Sequence, residues 1–201
     1  MFAVAAPVDS GQKTILTSSG ENDKFLTKQQ VKHLFQVIES RRDRAIFRIL
    51  YWCGLRASEV GMLQLSSYDP IEHRLFVKRL KGSLASNAEL SRDCVRSVNA
   101  WLAERGREAG PLFPSNRRRG ISRQQLHELM RKYCALANIP RARSHCHVLK
   151  HSLATHLLQA GVDLFTVKKI LGHKRITSTE QYLHMADIQV DSVRRRFEEE
   201  W

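Results

Sequence analysis

Four short stretches of this 201-residue chain put a reactive or strongly charged side chain at a helix stop or in a turn. Arg56 follows Gly54, and Lys81 precedes Gly82. His147, Lys150 and His151 share the run His145-Cys146-His147-Val148-Leu149-Lys150-His151, and Gly172-His173 comes shortly before Tyr182. Guanidinium and ammonium groups bind oxyanions, imidazole moves protons near neutral pH, and a phenol oxygen can act as a nucleophile. Each residue also has a plain structural reading. An Arg after a helix stop serves that helix's carbonyl end, a Lys in a hairpin turn is solvated, and a Gly-His pair ends a helix with a cation near its dipole. Other chemistries are excluded more directly. His145-Cys146-His147 lacks a fourth ligand at zinc spacing, and there is neither a Gly-rich phosphate loop nor a cluster of carboxylates. The expectation is therefore no metal and no nucleotide cofactor. Cys53, Cys94, Cys134 and Cys146 form no Cys-x-x-Cys pair and read as free thiols in a reducing compartment.

Taken in order, the stretches become specific. Cys53-Gly54-Leu55-Arg56-Ala57-Ser58-Glu59-Val60, the run from His147 through His151 and His156 to Leu158, and Leu171-Gly172-His173 with Thr179-Glu180-Gln181-Tyr182 resemble the signature boxes of the tyrosine recombinase (phage integrase) family. The resemblance spans residues 25–187 and implies that the boxes meet at one DNA phosphate. A phosphodiester gains charge on its non-bridging oxygens as it is attacked, so cations and donors around it favour the transition state. By resemblance, Arg56 supplies a fork for those oxygens, and Lys150 gives a second positive contact where the family usually carries Arg. His147 and His173 donate to the phosphoryl group, with His147 also assisting proton removal. Lys81 protonates the departing 5′ oxygen, and Tyr182 is the nucleophile that forms a 3′-phosphotyrosyl link. Glu59 either orients the Arg56 box or is an ordinary carboxylate at a helix N-terminus. His151 and His156 read as packing or supporting residues.

Local signals supply the elements that must position these groups. Thr27 and Gln30 form a capping box before a helix face of Val31, Leu34, Phe35 and Ile38. A second helix runs from about Arg42 to Cys53, burying Ala45, Ile46, Ile49 and Leu50, with Gly54 at its stop. Leu75-Phe76-Val77 reads as a strand, returned as a hairpin through Lys81-Gly82-Ser83. Ser91 caps a helix that ends at Gly106, and Ser122 with Gln125 caps another that presents Leu126, Leu129, Met130 and Tyr133. Further helices are expected over His147–Gln159, from Asp163 to Leu171, over Thr177–Met185 and over Val190–Phe197. The fold class is mainly α with a small antiparallel sheet (α+β). It forms one domain over 25–201 behind a flexible arm of residues 1–24, with 186–201 as a tail helix that packs on its own chain or on a neighbouring protomer.

The charge points to the partner. Lys and Arg number 33 against 20 Asp and Glu, and residues 41–150 hold 22 of the basic and 9 of the acidic side chains. The whole excess of +13 lies in that middle region, which favours double-stranded DNA over an acidic protein or a membrane. Arg79, Arg117, Arg118, Arg119, Arg123, Arg141 and Arg143, on loops or helix starts between the boxes, are candidates to contact it, each with solvated surface as the alternative. No stretch approaches the roughly 20 apolar residues of a membrane span, and the N-terminus does not read as a secretory signal, so a cytoplasmic, nucleoid-associated protein is expected. Family members resemble a two-domain clamp, whereas only 26 residues precede Thr27 here. The chain is therefore expected to be a short form resembling recombinases that invert promoter segments, with a similar Arg79-Leu80-Lys81-Gly82 run. It would work with other protomers in a tetrameric synapse. The rival readings are an impaired recombinase or helix-turn-helix protein that only binds DNA, Ala154 to Gly172 supplying the motif, and a type IB topoisomerase.

Overall fold

A computed structural model describes residues 24–80, 84–186 and 198. Residues 1–23 of the expected arm, the Lys81–Ser83 turn and the Val190–Phe197 helix lie outside the described residues.

Caps legible in the sequence start most of the helices. Thr27 and Gln30 exchange their capping-box bonds at 3.1 and 3.0 Å to open α1, Lys28–Gln36. Ser40 accepts from Asp43 N to begin α2, Arg41–Trp52. The first helix stops before Ile38, whose side chain packs in the core while its carbonyl accepts twice from the Arg44 guanidinium, at 2.9 and 2.7 Å. After the left-handed Gly54 comes a short helix, α3, over Ala57–Val60, with Arg56 at its N-cap.

The sheet is antiparallel in the order β1 (Tyr68–Asp69), β2 (Arg74–Val77) and β3 (Ser86–Glu89), with Leu75 opposite both Tyr68 and Ala88. Leu75 and Val77 point inward, while Arg74 and Phe76 are exposed, the alternation of a strand with one buried face. Helix α4, Arg92–Arg105, starts at Ser91 and ends at Gly106, and α5, Arg123–Leu136, starts with the Ser122–Gln125 box. Next come α6 (His147–Gln159), α7 (Leu164–Leu171, capped by Asp163 and stopped by Gly172) and α8 (Thr177–Ala186).

Two apolar clusters position the site. The larger packs α2 against α4 through Ile46, Phe47, Ile49, Leu50, Val95 and Val98, and continues into the sheet and α5. The smaller joins α6, α7 and α8 through Leu153, Leu158, Val167, Leu171 and Tyr182, and Tyr51 of α2 packs against both. The Tyr51 hydroxyl also meets His156 Nδ1 at 2.8 Å, so His156 is held in the core. No helix among the described residues is long and apolar enough to cross a membrane.

Candidate active site

The N-terminal ends of α3, α6 and α8 and the turn after α7 face one cleft of about 470 Å³, lined by Arg56, His147, His173, Lys174, Arg175, Ser178, Gln181 and Tyr182. Residues separated by more than a hundred positions are thus brought together, and the lining carries three basic side chains and two imidazoles without a carboxylate. The cleft is built to receive an anion.

Arg56 sits at the mouth with its side chain about a third exposed. Glu59, fully buried, holds it from behind: one carboxylate oxygen accepts from the Arg56 guanidinium at 3.0 Å and the other from the Arg56 backbone N–H at 2.8 Å. Burial pushes the Glu59 carboxyl up, but the backbone bond and the charges of Arg79, Lys150 and Arg56 outweigh it, so its pKa falls below the ordinary value and it stays ionised. The Arg56 fork is therefore aimed before any ligand arrives.

Tyr182 is almost wholly buried between two imidazoles. His173 stacks at 6.3 Å with the rings 13° apart, and His151 lies tilted at 5.4 Å. His151 in turn meets His147 edge-on at 4.5 Å. His173 Nδ1 is 3.0 Å from the buried Thr179 hydroxyl, which fixes the ring over the tyrosine. Burial raises the Tyr182 phenol to about 12, with Arg56 opposing the rise, so the phenol is protonated at neutral pH. Burial, with Lys150, Arg56 and Arg79 nearby, pulls His173 down to about 4. Burial and the cations around it, Lys150 first, also lower His147, leaving an imidazole that is neutral and able to accept a proton.

Two expected contacts differ from the sequence reading. Lys150 is not in the cleft wall. It is 1% exposed and donates through Nζ to Leu171 O at 2.8 Å, beneath the floor, because its position on α6 faces the end of α7. Burial and the Arg79 and Arg56 charges lower its pKa to about 7, against the pull of Glu59. Arg79 is not a surface arginine for DNA. The inward alternation of Leu75 and Val77 continues two residues further, and its side chain has no exposed surface. Its guanidinium binds Glu59 and backbone carbonyls instead. Arg117, Arg118, Arg119, Arg123 and Arg141 are exposed, and Arg143 is half-buried with its guanidinium on Phe25 O and Gln30 Oε1. Lys81 lies outside the described residues. Lys174, Arg175 and Ser178 line the cleft with no role in the sequence reading, although Lys174-Arg175 directly after His173 is a legible signal, while Gln181 of the Tyr182 box joins the lining and Thr179 of that box supports His173.

The class of protein follows from fold and site together. The crystal structure of XerA recombinase shares the fold with a TM-score of 0.72 at 24% identity, covering 88% of this chain and 63% of that one. The Tn1549 transposon integrase, in complex with transposon right end DNA, shares it with a TM-score of 0.73 at 18% identity, covering 92% and 68%. The fold is that of a tyrosine recombinase catalytic domain. Residues 24–188 match the model of the phage integrase family, and the chain belongs to that family. Tyrosine recombinase XerC of Alcanivorax borkumensis is 34% identical over 173 residues, 81% of this chain and 56% of that protein. Tyrosine recombinase XerD of Proteus mirabilis is 34% identical over 177 residues, 81% and 55%. The chain thus spans about half the length of the curated relatives it matches.

Proposed function

We propose that this chain is the catalytic domain of a site-specific DNA recombinase that cuts and rejoins strands through a 3′-phosphotyrosyl intermediate. The observation that carries the reading is Tyr182 in the wall of a cationic cleft that also holds Arg56, His147 and His173. A scissile phosphate in the cleft takes the Arg56 fork on its non-bridging oxygens, with His173 as a further donor and the Lys150 charge below. A phenol near 12 is a poor nucleophile until it loses its proton, and neutral His147 is the acceptor. Tyr182 Oη then bonds to phosphorus, the bond to the 5′ oxygen breaks, and Lys81 protonates that oxygen. Attack by a 5′ hydroxyl from another strand runs the same steps backwards and restores a phosphodiester.

Around this centre, the exposed loop and helix-start arginines at 117, 118, 119, 123 and 141, with Arg143, grip the flanking duplex. Residues 25–201 act as the catalytic domain, 1–24 as an arm and 186–201 as a tail exchanged between protomers, four of which hold two DNA sites in the cytoplasm at the nucleoid. The names of the matched relatives support this reading, and so does the basic excess in 41–150.

The test is a nicked suicide substrate that traps the covalent intermediate. Wild-type protein is expected to give a slowly migrating protein–DNA band on denaturing gels, and Tyr182→Phe to give none while still binding DNA. A band that persists in Tyr182→Phe would reassign the nucleophile, and no band from wild type on any family-type site would overturn the recombinase reading.

A further inference from the structure

Among the described residues, Arg79 makes five side-chain hydrogen bonds outside the cleft. One guanidinium nitrogen donates to Gly54 O at 3.0 Å and Glu59 Oε2 at 3.3 Å. The other donates to Cys53 O at 2.9 Å and Ile170 O at 2.9 Å, and reaches Ser86 Oγ at 3.5 Å. Three of these acceptors are main-chain carbonyls at or near the C-terminal ends of two helices, α2 and α7, where a cation is favoured by the dipoles and by otherwise unpaired carbonyls. Those ends lead straight into the Arg56 box and the Gly172-His173 box. Gly172, at φ +65°, lies over the guanidinium so closely that a Cβ there would come within 2.7 Å of Arg79 Nε. The neighbouring backbone is drawn to the same place, since Leu80 N meets Glu59 Oε1 at 3.4 Å and Leu84 N donates to Gly172 O at 3.1 Å.

We propose that Arg79 is a positioning residue of the reaction, setting Arg56 through Glu59 and His173 through the end of α7. The inference rests on the recombinase reading for its catalytic consequence, but the geometry it concerns is independent of it. A guanidinium is required because its planar fork serves carbonyls from two helices and a carboxylate at once, whereas an ammonium group is a single point of charge. Loss of Arg79 also removes one of the two cations on the buried Glu59 carboxylate, which is then drawn towards Arg56 alone.

The experiment compares wild type, Arg79→Gln and Arg79→Lys for single-turnover cleavage of the suicide substrate at saturating protein, DNA affinity, thermal melting, and the titration of His173 followed by imidazole NMR in the DNA-free protein. In the folded fraction, Arg79→Gln is expected to cleave about 10²-fold more slowly, the size of effect that a small misplacement of catalytic groups produces. DNA affinity is unchanged, because the side chain has no surface to offer a phosphate, and the His173 titration moves upward. Arg79→Lys keeps the charge and recovers part of the rate, and it stands in if the Gln variant does not fold. Folded variants that cleave at the wild-type rate, or that lose affinity while keeping their saturated rate, overturn the proposal. If wild type itself gives no covalent product, the recombinase reading fails, and the His173 titration then decides alone: a shift in Arg79→Lys, which keeps the charge, upholds the positioning role, and a titration that moves only in Arg79→Gln, or not at all, overturns it.

Discussion

Lys150 has an unusual task for a lysine. Its ammonium group is shut beneath the cleft with a carbonyl as partner, and burial together with Arg79 and Arg56 brings its pKa from 10.5 to about 7. The sign follows directly: the positive charge is present below about pH 7 and is lost as pH rises through that value. Any help this charge gives to a phosphate should fade on the alkaline side in the free enzyme. Arginine stays protonated throughout, so Lys150→Arg is expected to hold cleavage flat between pH 7 and 9 where wild type declines. Single-turnover rates across that range check it, and superimposable profiles would mean that the Lys150 charge does not act on the reaction. The same shift bears on stability. Between about pH 7 and 10.5 the unfolded chain binds the proton and the folded chain does not, so the Lys150 contribution to stability rises with pH over that window and is absent in Lys150→Met.

At the scale of elements, backbone contacts matter more than any single cap. The loop carrying Arg117 to Arg119 is anchored where Gly120 meets Gly61 after α3: a Cβ on Gly120 would lie 1.9 Å from Gly61 O, and one on Gly61 would lie 2.3 Å from Ile121 O. Neither atom belongs to a side chain that can swing away. Gly120→Ala should therefore cost roughly 3 kcal/mol, the upper end for over-packing, and through the clash alone, since Gly120 is not among the glycines at positive φ. Chemical denaturation checks it, and a loss below about 1 kcal/mol would show that the Gly61–Gly120 approach is not tight in solution. These contacts also mark what could be read from the chain alone. The Thr27–Gln30 and Ser122–Gln125 boxes, the Asp163 cap and the Gly172 stop are local chemistry and were legible. Helix α3 and strand β1 were not, because four and two residues carry no period. Arg79 was misread for want of extending the Leu75–Val77 alternation by one step. The depth of Lys150 and the place of His151 against Tyr182 depend on how α6 packs on α7 and α8, which no local signal encodes.

For the whole molecule, the charge divides by location. Arg79 and Lys150 are buried and Arg56 is partly so, and they serve the cleft and the helix ends around it. The arginines at 117, 118 and 119 form an exposed run on a short loop closed by the Pro114–Gly120 bridge. Lys28 and Lys32 on α1 are just as exposed, but they belong to a segment whose basic and acidic residues balance over 1–40. If the loop lies on the duplex, each arginine on a phosphate adds about 0.9 to the slope of log K against log salt, so replacing all three by Gln should flatten it by up to about 2.7. Lys28→Gln with Lys32→Gln should leave the slope unchanged. Affinity measured from low to moderate salt with both sets separates local contact from a general field. A field acting at a distance would weaken binding in proportion to the charges removed, three against two, because it counts charges and not their positions, and that result would remove the loop from the interface. Loss of slope from the loop variants alone would place the duplex across the loop as well as the cleft, with the three arginines fixing the register in which one phosphate reaches Tyr182.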